Sequence, residues 1–239
     1  MKKHYLLWVS LLFLNLPLAF GQFRINRNKP IYQTGRIDET FDWGFSLGLN
    51  SLDYKLNPTT IGMSNGVSQT VYSDAEMGFT VGVLGIYKLS PSFNIQLEPS
   101  VHFLSRTLVF DHIPESPERV LKSTYIDVPL FLQYHGERWM NSRPYVQAGA
   151  SYIRNIQSNE QKSEDISTGT FRSTTNNFSA QFEIGTTFYF EYFRLTPAIR
   201  YIYVLNNEKI DDNPSTGNQW MGSIDELQTR GIAIILKFQ

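Results

Sequence analysis

Glu98, Ser100 and His102 stand two residues apart in "LEPSVHF". An acid, a hydroxyl and an imidazole are the side chains of nucleophilic catalysis. On an extended strand these three share one face at roughly 7 Å per step of two residues, too far for an ordered relay without a bend. A hydrolase would also need substrate to enter from its surroundings, so the expectation is no enzyme and no small-molecule substrate. His102, His112 and His135 have no ligand spacing, and the chain has no cysteine, so no metal, thiol chemistry or disulfide framework is expected. Gly44, Gly48, Gly78 and Gly82 are spaced by four, which on a strand marks gaps along one face and not a phosphate cradle; no cofactor is expected. A formal net charge of −1 supplies no field for nucleic acid.

The elements that must carry these residues read as strands. Apolar and polar residues alternate with period two along the chain. Trp43, Phe45, Leu47 and Leu49 share one face, with Gly44, Ser46, Gly48 and Asn50 on the other. Met77 to Val83 repeats the pattern, as does the run Phe93, Ile95, Leu97, Val101, Phe103 against Asn94, Gln96, Glu98, Ser100 and His102. Ile126 to Tyr134, Val146 to Tyr152, Phe178 to Phe188, Leu195 to Tyr203 and Ile232 to Phe238 complete eight strand candidates. The second face is too polar for a protein core and the first too apolar for water. Alternation in 239 residues, with 14% aromatic and 18% charged residues, is the pattern of an eight-stranded antiparallel up-and-down transmembrane β-barrel. Mean hydropathy stays at −0.26 because the two faces offset each other. Connections alternate too: long at Lys55–Glu76, Asp111–Val120, Gln157–Asn176 and Asn206–Ser223, short at Ser90-Pro91-Ser92, Gly136–Arg143 and Glu191-Tyr192. A soluble sandwich has no reason to sort its loops by length in this way.

The barrel explains why Asp127 and Pro129 interrupt an apolar run: both fall on the lumen parity, where the acid never meets lipid. Pro129 lacks an N–H, so a bulge or bend is expected there. Eight strands enclose an interior that side chains fill. The lumen set is Glu98, His102, Arg106, Asp127, Glu183, Arg194 and Arg200, read as a structural network. A turn centred on Glu191-Tyr192 puts Glu183 directly opposite Arg200. Trp43, Phe93, Tyr134, Phe188, Phe190, Phe193 and Phe238 at one end, and Tyr152, Phe178 and Tyr203 at the other, read as interfacial girdles.

The N-terminus reads as an export signal over residues 1–21: Lys2, Lys3 and His4, an apolar stretch from Tyr5 to Phe20, and Ala19-Phe20-Gly21 before Gln22. Residues 22–42 read as a periplasmic segment and 43–239 as the barrel. Arg24, Arg27, Lys29 and Arg36 make the segment basic, a docking arm for an acidic periplasmic partner if it is more than a linker.

"DWGFSLGLNSLDYKLNP" and "STYIDVPLFLQYHGERWMNSRPYVQAGA", with the charged tail before the barrel, resemble the PorT family, also called SprT. The resemblance covers nearly the whole mature chain. It is carried by Ile126–Leu130 in combination with Asn141, Arg143, Pro144 and Tyr145 and with the Gly44, Gly48, Asn50 opening. It implies an outer-membrane barrel that serves the type IX secretion system and, in gliding bacteria, motility. The implied partners are outer-membrane lipid and other secretion components, and no catalytic residues are implied. The other readings are a structural or adhesive barrel working through its long loops and, third, an outer-leaflet lipid hydrolase.

Overall fold

A computed structural model describes residues 31–33, 40–58, 71–110, 118–162, 170–211 and 224–239. The expected export signal, His112 and the cations Arg24, Arg27, Lys29 and Arg36 lie outside the described residues. Ten strands follow in order: β1 Phe41–Pro58, β2 Val71–Ala75, β3 Gly78–Lys88, β4 Phe93–Leu97, β5 Ser100–Phe110, β6 Glu118–His135, β7 Ser142–Asn155, β8 Asn176–Tyr189, β9 Arg194–Val204 and β10 Ile224–Phe238. All pairings are antiparallel, and the pairings return to their start. Gly48 of β1 sits opposite Ile235 of β10 on one side and Thr80 of β3 on the other. The sheet closes on itself, which leaves no strand edge to hydrogen-bond with hydrocarbon.

Ten strands and not eight are present because β2 with β3, and β4 with β5, form two interrupted staves of an eight-stave ring. The first interruption is a bulge. Ala75 pairs with Arg106 and Phe79 with Phe103, so three residues on one stave face two on its neighbour. The extra residue reverses side-chain parity: Val71 points inward on β2, whereas Thr80 does so on β3. Alternation therefore breaks at Glu76-Met77, and β2 lies within the stretch that the sequence reads as a loop. The second interruption corrects the expectation at Pro129. No bulge forms there: Leu97↔Leu130 and Ser100↔Asp127 keep one register across the gap. Glu98 donates its N–H to Pro129 O at 3.2 Å, Val83 donates to Pro99 O at 3.0 Å, and neither proline returns a bond. Two one-sided pairs absorb the missing donors.

The outer wall is apolar: Trp43, Val83, Leu130, Ile184 and Ile234 are exposed there. Short turns gather at one end. Phe190 donates to Phe193 O at 2.9 Å around Glu191-Tyr192, and Leu89 and Ser90 donate to Phe93 O at 3.0 Å. The last residues of β1, β7 and β9 and the first residues of β6 lie at the other, where the long connections begin or end. Stacked or tilted pairs Phe45–Phe238, Phe93–Tyr134 and Phe190–Phe193 belt the short-turn end, and Tyr152–Phe178 the long-connection end.

Inside, the barrel is divided along its axis. The short-turn half is polar. The long-connection half is a hydrophobic core of Tyr54, Val71, Leu108, Phe110, Leu121, Ile224 and Leu227, continued by Leu52, Leu104, Tyr125, Ile153, Ile202 and Val204. Apolar side chains predominate at that end, with Arg106 and Glu208 buried among them.

Candidate functional site

The polar half is built around four charged side chains that the staves bring in from separate parts of the chain. Glu183 of β8 lies directly opposite Arg200 of β9 in the ladder set by the Glu191-Tyr192 turn. Arg200 Nε donates to Glu183 Oε2 at 2.6 Å, and its Nη2 donates to Glu98 Oε2 at 2.6 Å. Lys237 of β10 closes the ring on Glu183 and, at 3.2 Å, on Glu98. Tyr145 Oη donates to Glu183 at 2.6 Å and Gln96 Nε2 to Glu98 at 2.6 Å. The guanidinium of Arg200 lies 4.8 Å from the centre of the Phe131 ring. Two acids and two bases cancel, and all four side chains are buried. Each charge left alone in this interior would cost several kcal/mol, so the group is stable only when complete.

A second cluster sits further along the axis. Asp127 accepts from Ser151 Oγ, from Gln181 Nε2 at 2.8 Å and from His102 Nε2 at 3.2 Å. Thr80 Oγ1 meets His102 Nδ1 at 2.8 Å. Ser100 Oγ lies 3.3 Å from His102 Nε2, closer than spacing along a strand allows because the two side chains lean together. The separation argument against a relay is thereby corrected, but the geometry is still no relay. Ser100 and Asp127 meet the same ring nitrogen, whereas a general base needs the acid on the opposite one. Ser100 is also buried within the barrel. Among the described residues, no group of three or more His, Asp or Glu side chains is arranged to hold a metal.

Arg106 does not join the network, which corrects its grouping with Glu98. Eight residues along the stave, roughly 26 Å, separate the two. Arg106 instead stacks 4.0 Å from the Tyr54 ring centre and donates to Thr229 Oγ1 at 3.1 Å. Glu208, from the connection after β9, enters the same region. It accepts from Tyr125 Oη at 3.1 Å and from the Thr229 N–H at 2.6 Å. Burial holds its carboxyl above the usual carboxylate range. Arg194 is likewise outside the network: it sits at the short-turn rim, where it pairs with Asp42.

That rim also holds the start of the described chain. Tyr32 donates its N–H to Asn141 Oδ1 at 3.0 Å, Arg138 Nη2 donates to Tyr32 O at 2.5 Å, and Gln33 Nε2 donates to Phe190 O at 2.6 Å. Arg143 is held by Gly136 O at 3.0 Å and Pro91 O at 2.5 Å.

Lys237 and Glu208 are the charged interior residues that sequence reasoning missed. Lys237 has the inward parity between Leu236 and Phe238, so alternation carried its signal, although the lumen set read from the sequence left it out. Glu208 had no such signal, because it lies in a connection and not in a strand.

Residues 20–209 match the family described as outer membrane protein beta-barrel domain. No curated protein matches the chain. Among solved structures, the chain is similar to Neisserial surface protein A at 9% identity and TM-score 0.45, over 83% of this chain and 98% of that one. It is similar to AlkL in DMPC bilayers at 14% and 0.42, over 90% and 94%. It is also similar to Ail, the attachment invasion locus protein of Yersinia pestis, at 12% and 0.36, over 84% and 97%.

Proposed function

The chain belongs to the outer membrane protein beta-barrel family, and from that premise we propose that it is a non-conducting barrel of the outer membrane, structural or adhesive, that works through contacts made at its ends. The observation that carries this reading is the filled interior. Arg200, Phe131, Tyr125 and Arg106 are each no more than 1% exposed, with Arg200 over the Phe131 ring and Arg106 over the Tyr125 ring. Ions would have to cross both the neutral charged cluster and the apolar core beyond it. In such barrels the short turns lie in the periplasm and the long connections face outward. Planar-bilayer recording on the purified full chain tests the proposal: a silent bilayer is expected, and reproducible single-channel steps would sink it. Exchanging the Lys55–Glu76 and Gln157–Asn176 segments tests the adhesive form, which requires surface attachment to fall.

A second reading, an accessory of type IX secretion, is favoured by a specific observation beside the sequence resemblance. Asn141, one of the residues that carry the resemblance, grips Tyr32 at the periplasmic rim together with Arg138. These residues serve the face that a secretion machine would meet. Mass spectrometry of culture supernatant from a deletion strain and its complemented control tests this. Loss of proteins with C-terminal secretion domains supports it, and an unchanged secretome removes it.

A further inference from the structure

We propose that the free edge of β6 at the long-connection end is a docking site for an extended segment of a partner protein, which adds to the barrel wall as one more strand. The inference rests on the reading that the barrel acts through contacts at its ends, and it gives the outward contact its chemistry.

β6 outruns the strand beside it. On the β5 side its ladder reaches Glu118, opposite Val109. On the β7 side the ladder stops at Tyr125, opposite Asn155, with one further bond from the Ile156 N–H to Thr124 O at 3.0 Å. There the chain after β7 turns away. Gln157 donates its N–H to Asn155 Oδ1 at 3.0 Å, Asn159 takes a φ of 51°, and Ser158 O accepts from the Ser173 N–H at 2.8 Å. The segment therefore pairs with the approach to β8 and leaves β6 uncovered. Tyr152 of the aromatic belt stands opposite Val128, and Lys122 lies six residues, roughly 20 Å, further along the stave, so this edge meets water and not hydrocarbon.

Main-chain groups on a strand point to alternate sides. Because Thr124 C=O faces the β7 side, the N–H and C=O of Lys122 and of Val120 face it too, and among the described residues none of these four groups has a partner. They open on a groove of about 290 Å³ between Val120 to Ser123 and Phe171 to Ser173, bordered also by Asn159. Four residues of strand run roughly 13 Å, enough for a short ladder. Two donor–acceptor sets two residues apart are what a neighbouring strand matches. An extended polypeptide returns them at the same spacing, and an acyl chain returns none.

Side chains set the pattern of the added strand. Leu121 points into the apolar core, while Val120 and Lys122 point out. An alternating segment fits, apolar toward Leu121 and Phe171 and acidic beside Lys122. Lys122 is the charged side chain among the described residues bordering the groove, and a lysine on a sheet edge opposes pairing with a second copy. Residues 163–169, which carry Glu164 and Asp165, lie outside the described residues and are the rival occupant that the experiment must separate.

The test is fluorescence anisotropy of a labelled valine–glutamate repeat peptide against the full chain in nanodiscs. Its control is the same peptide methylated at every main-chain nitrogen, which keeps charge and side chains and removes the donors. Saturable binding is expected, weakened at least about tenfold by methylation and about tenfold by Val120→Pro, which deletes one edge N–H without touching the β5 ladder. Val120→Thr, which keeps that N–H, should stay within about twofold of the parent. Heat-modifiable gel mobility reports whether each variant folds, and the two peptides decide the matter if Val120→Pro does not. Absence of saturable binding overturns the proposal, as does equal binding of the methylated peptide or by folded Val120→Pro. Binding that appears only after residues 163–169 are replaced by a Gly-Ser linker overturns it in favour of the chain's own segment. Conductance on the same preparation is read separately. A silent barrel without peptide binding removes the site alone, and a conducting one removes the non-conducting reading whatever the peptide does.

Discussion

Glu98 and Arg200 are 102 residues apart in the chain and 2.6 Å apart in the barrel. One sits at the break between β4 and β5 and the other in β9, so this contact ties together staves that are not neighbours in the ring. Arg200 also holds Glu183, which makes it, with Lys237, a common partner of Glu98 and Glu183.

Arg200→Met therefore strands two carboxylates on Lys237 alone. Removing one partner from a buried ion group costs about 3–5 kcal/mol, and that loss is expected in urea unfolding of the reconstituted barrel. Glu98→Gln combined with Arg200→Met leaves the neutral Glu183 and Lys237 pair, and should recover more than half of it. Equal losses in the single and double variants would show that packing on Phe131, not charge, is what Arg200 supplies.

Two glycines give opposite expectations. A Cβ at Gly149 would collide with the backbone carbonyl of Leu130 across the β6–β7 ladder, where nothing flexible can yield. Gly149→Ala should destabilise by about 1–3 kcal/mol, the range for overpacking. A Cβ at Gly85 would meet only the Phe41 ring, at 3.6 Å. Gly85→Ala should stay within about 0.5 kcal/mol of the parent in the same unfolding assay.

Glu208 brings a pH dependence to the long-connection end of the barrel. Burial raises its carboxyl above the ordinary 4.5, and the Arg106 charge offsets this only in part. A carboxyl whose pKa is raised by folding binds its proton more tightly in the folded state, so ionisation destabilises. The penalty is absent below about 4.5, grows as pH climbs through the raised value, and is constant above it. After correction for intrinsic exchange, protection of the Glu208 and Thr229 amides should increase as pH is lowered toward 4.5. Glu208→Gln should flatten that profile. Protection that rises with pH would mean that Arg106 outweighs burial.

Asn141 accepts from the Tyr32 N–H at 3.0 Å and from Arg138 Nη2 at 3.2 Å. Asn141→Ala should release Tyr32 and Gln33 at the short-turn rim while leaving the barrel closed. Losing such a bond costs about 1 kcal/mol, so trypsin cleavage after Arg36 should quicken several-fold with the unfolding midpoint unchanged. An unaltered cleavage rate would place the hold on Gln33 instead.

Much of the fold was legible because alternation is local. Trp43 to Leu49 and Ile126 to Tyr134 sort their faces by neighbour two residues away, and a tight turn such as Glu191-Tyr192 fixes a register by counting outward from it. Where that local rule is interrupted, reading stops. The bulge at Glu76-Met77 reverses parity and hides β2, and Ile153 and Ile202 place apolar side chains on the inward parity, which conceals the apolar half of the interior.

The chain alone thus settled which residues face lipid, which face inward, and which ladder partners lie beside a short turn, since each follows from spacing along one or two strands. Only closure of the ring decided which inward charges meet. Strand tilt and stagger place Glu98 level with Arg200 and Lys237, and Arg106 beside Tyr54 and within reach of the region entered by Glu208. Those quantities belong to all the staves together, and no single strand carries them.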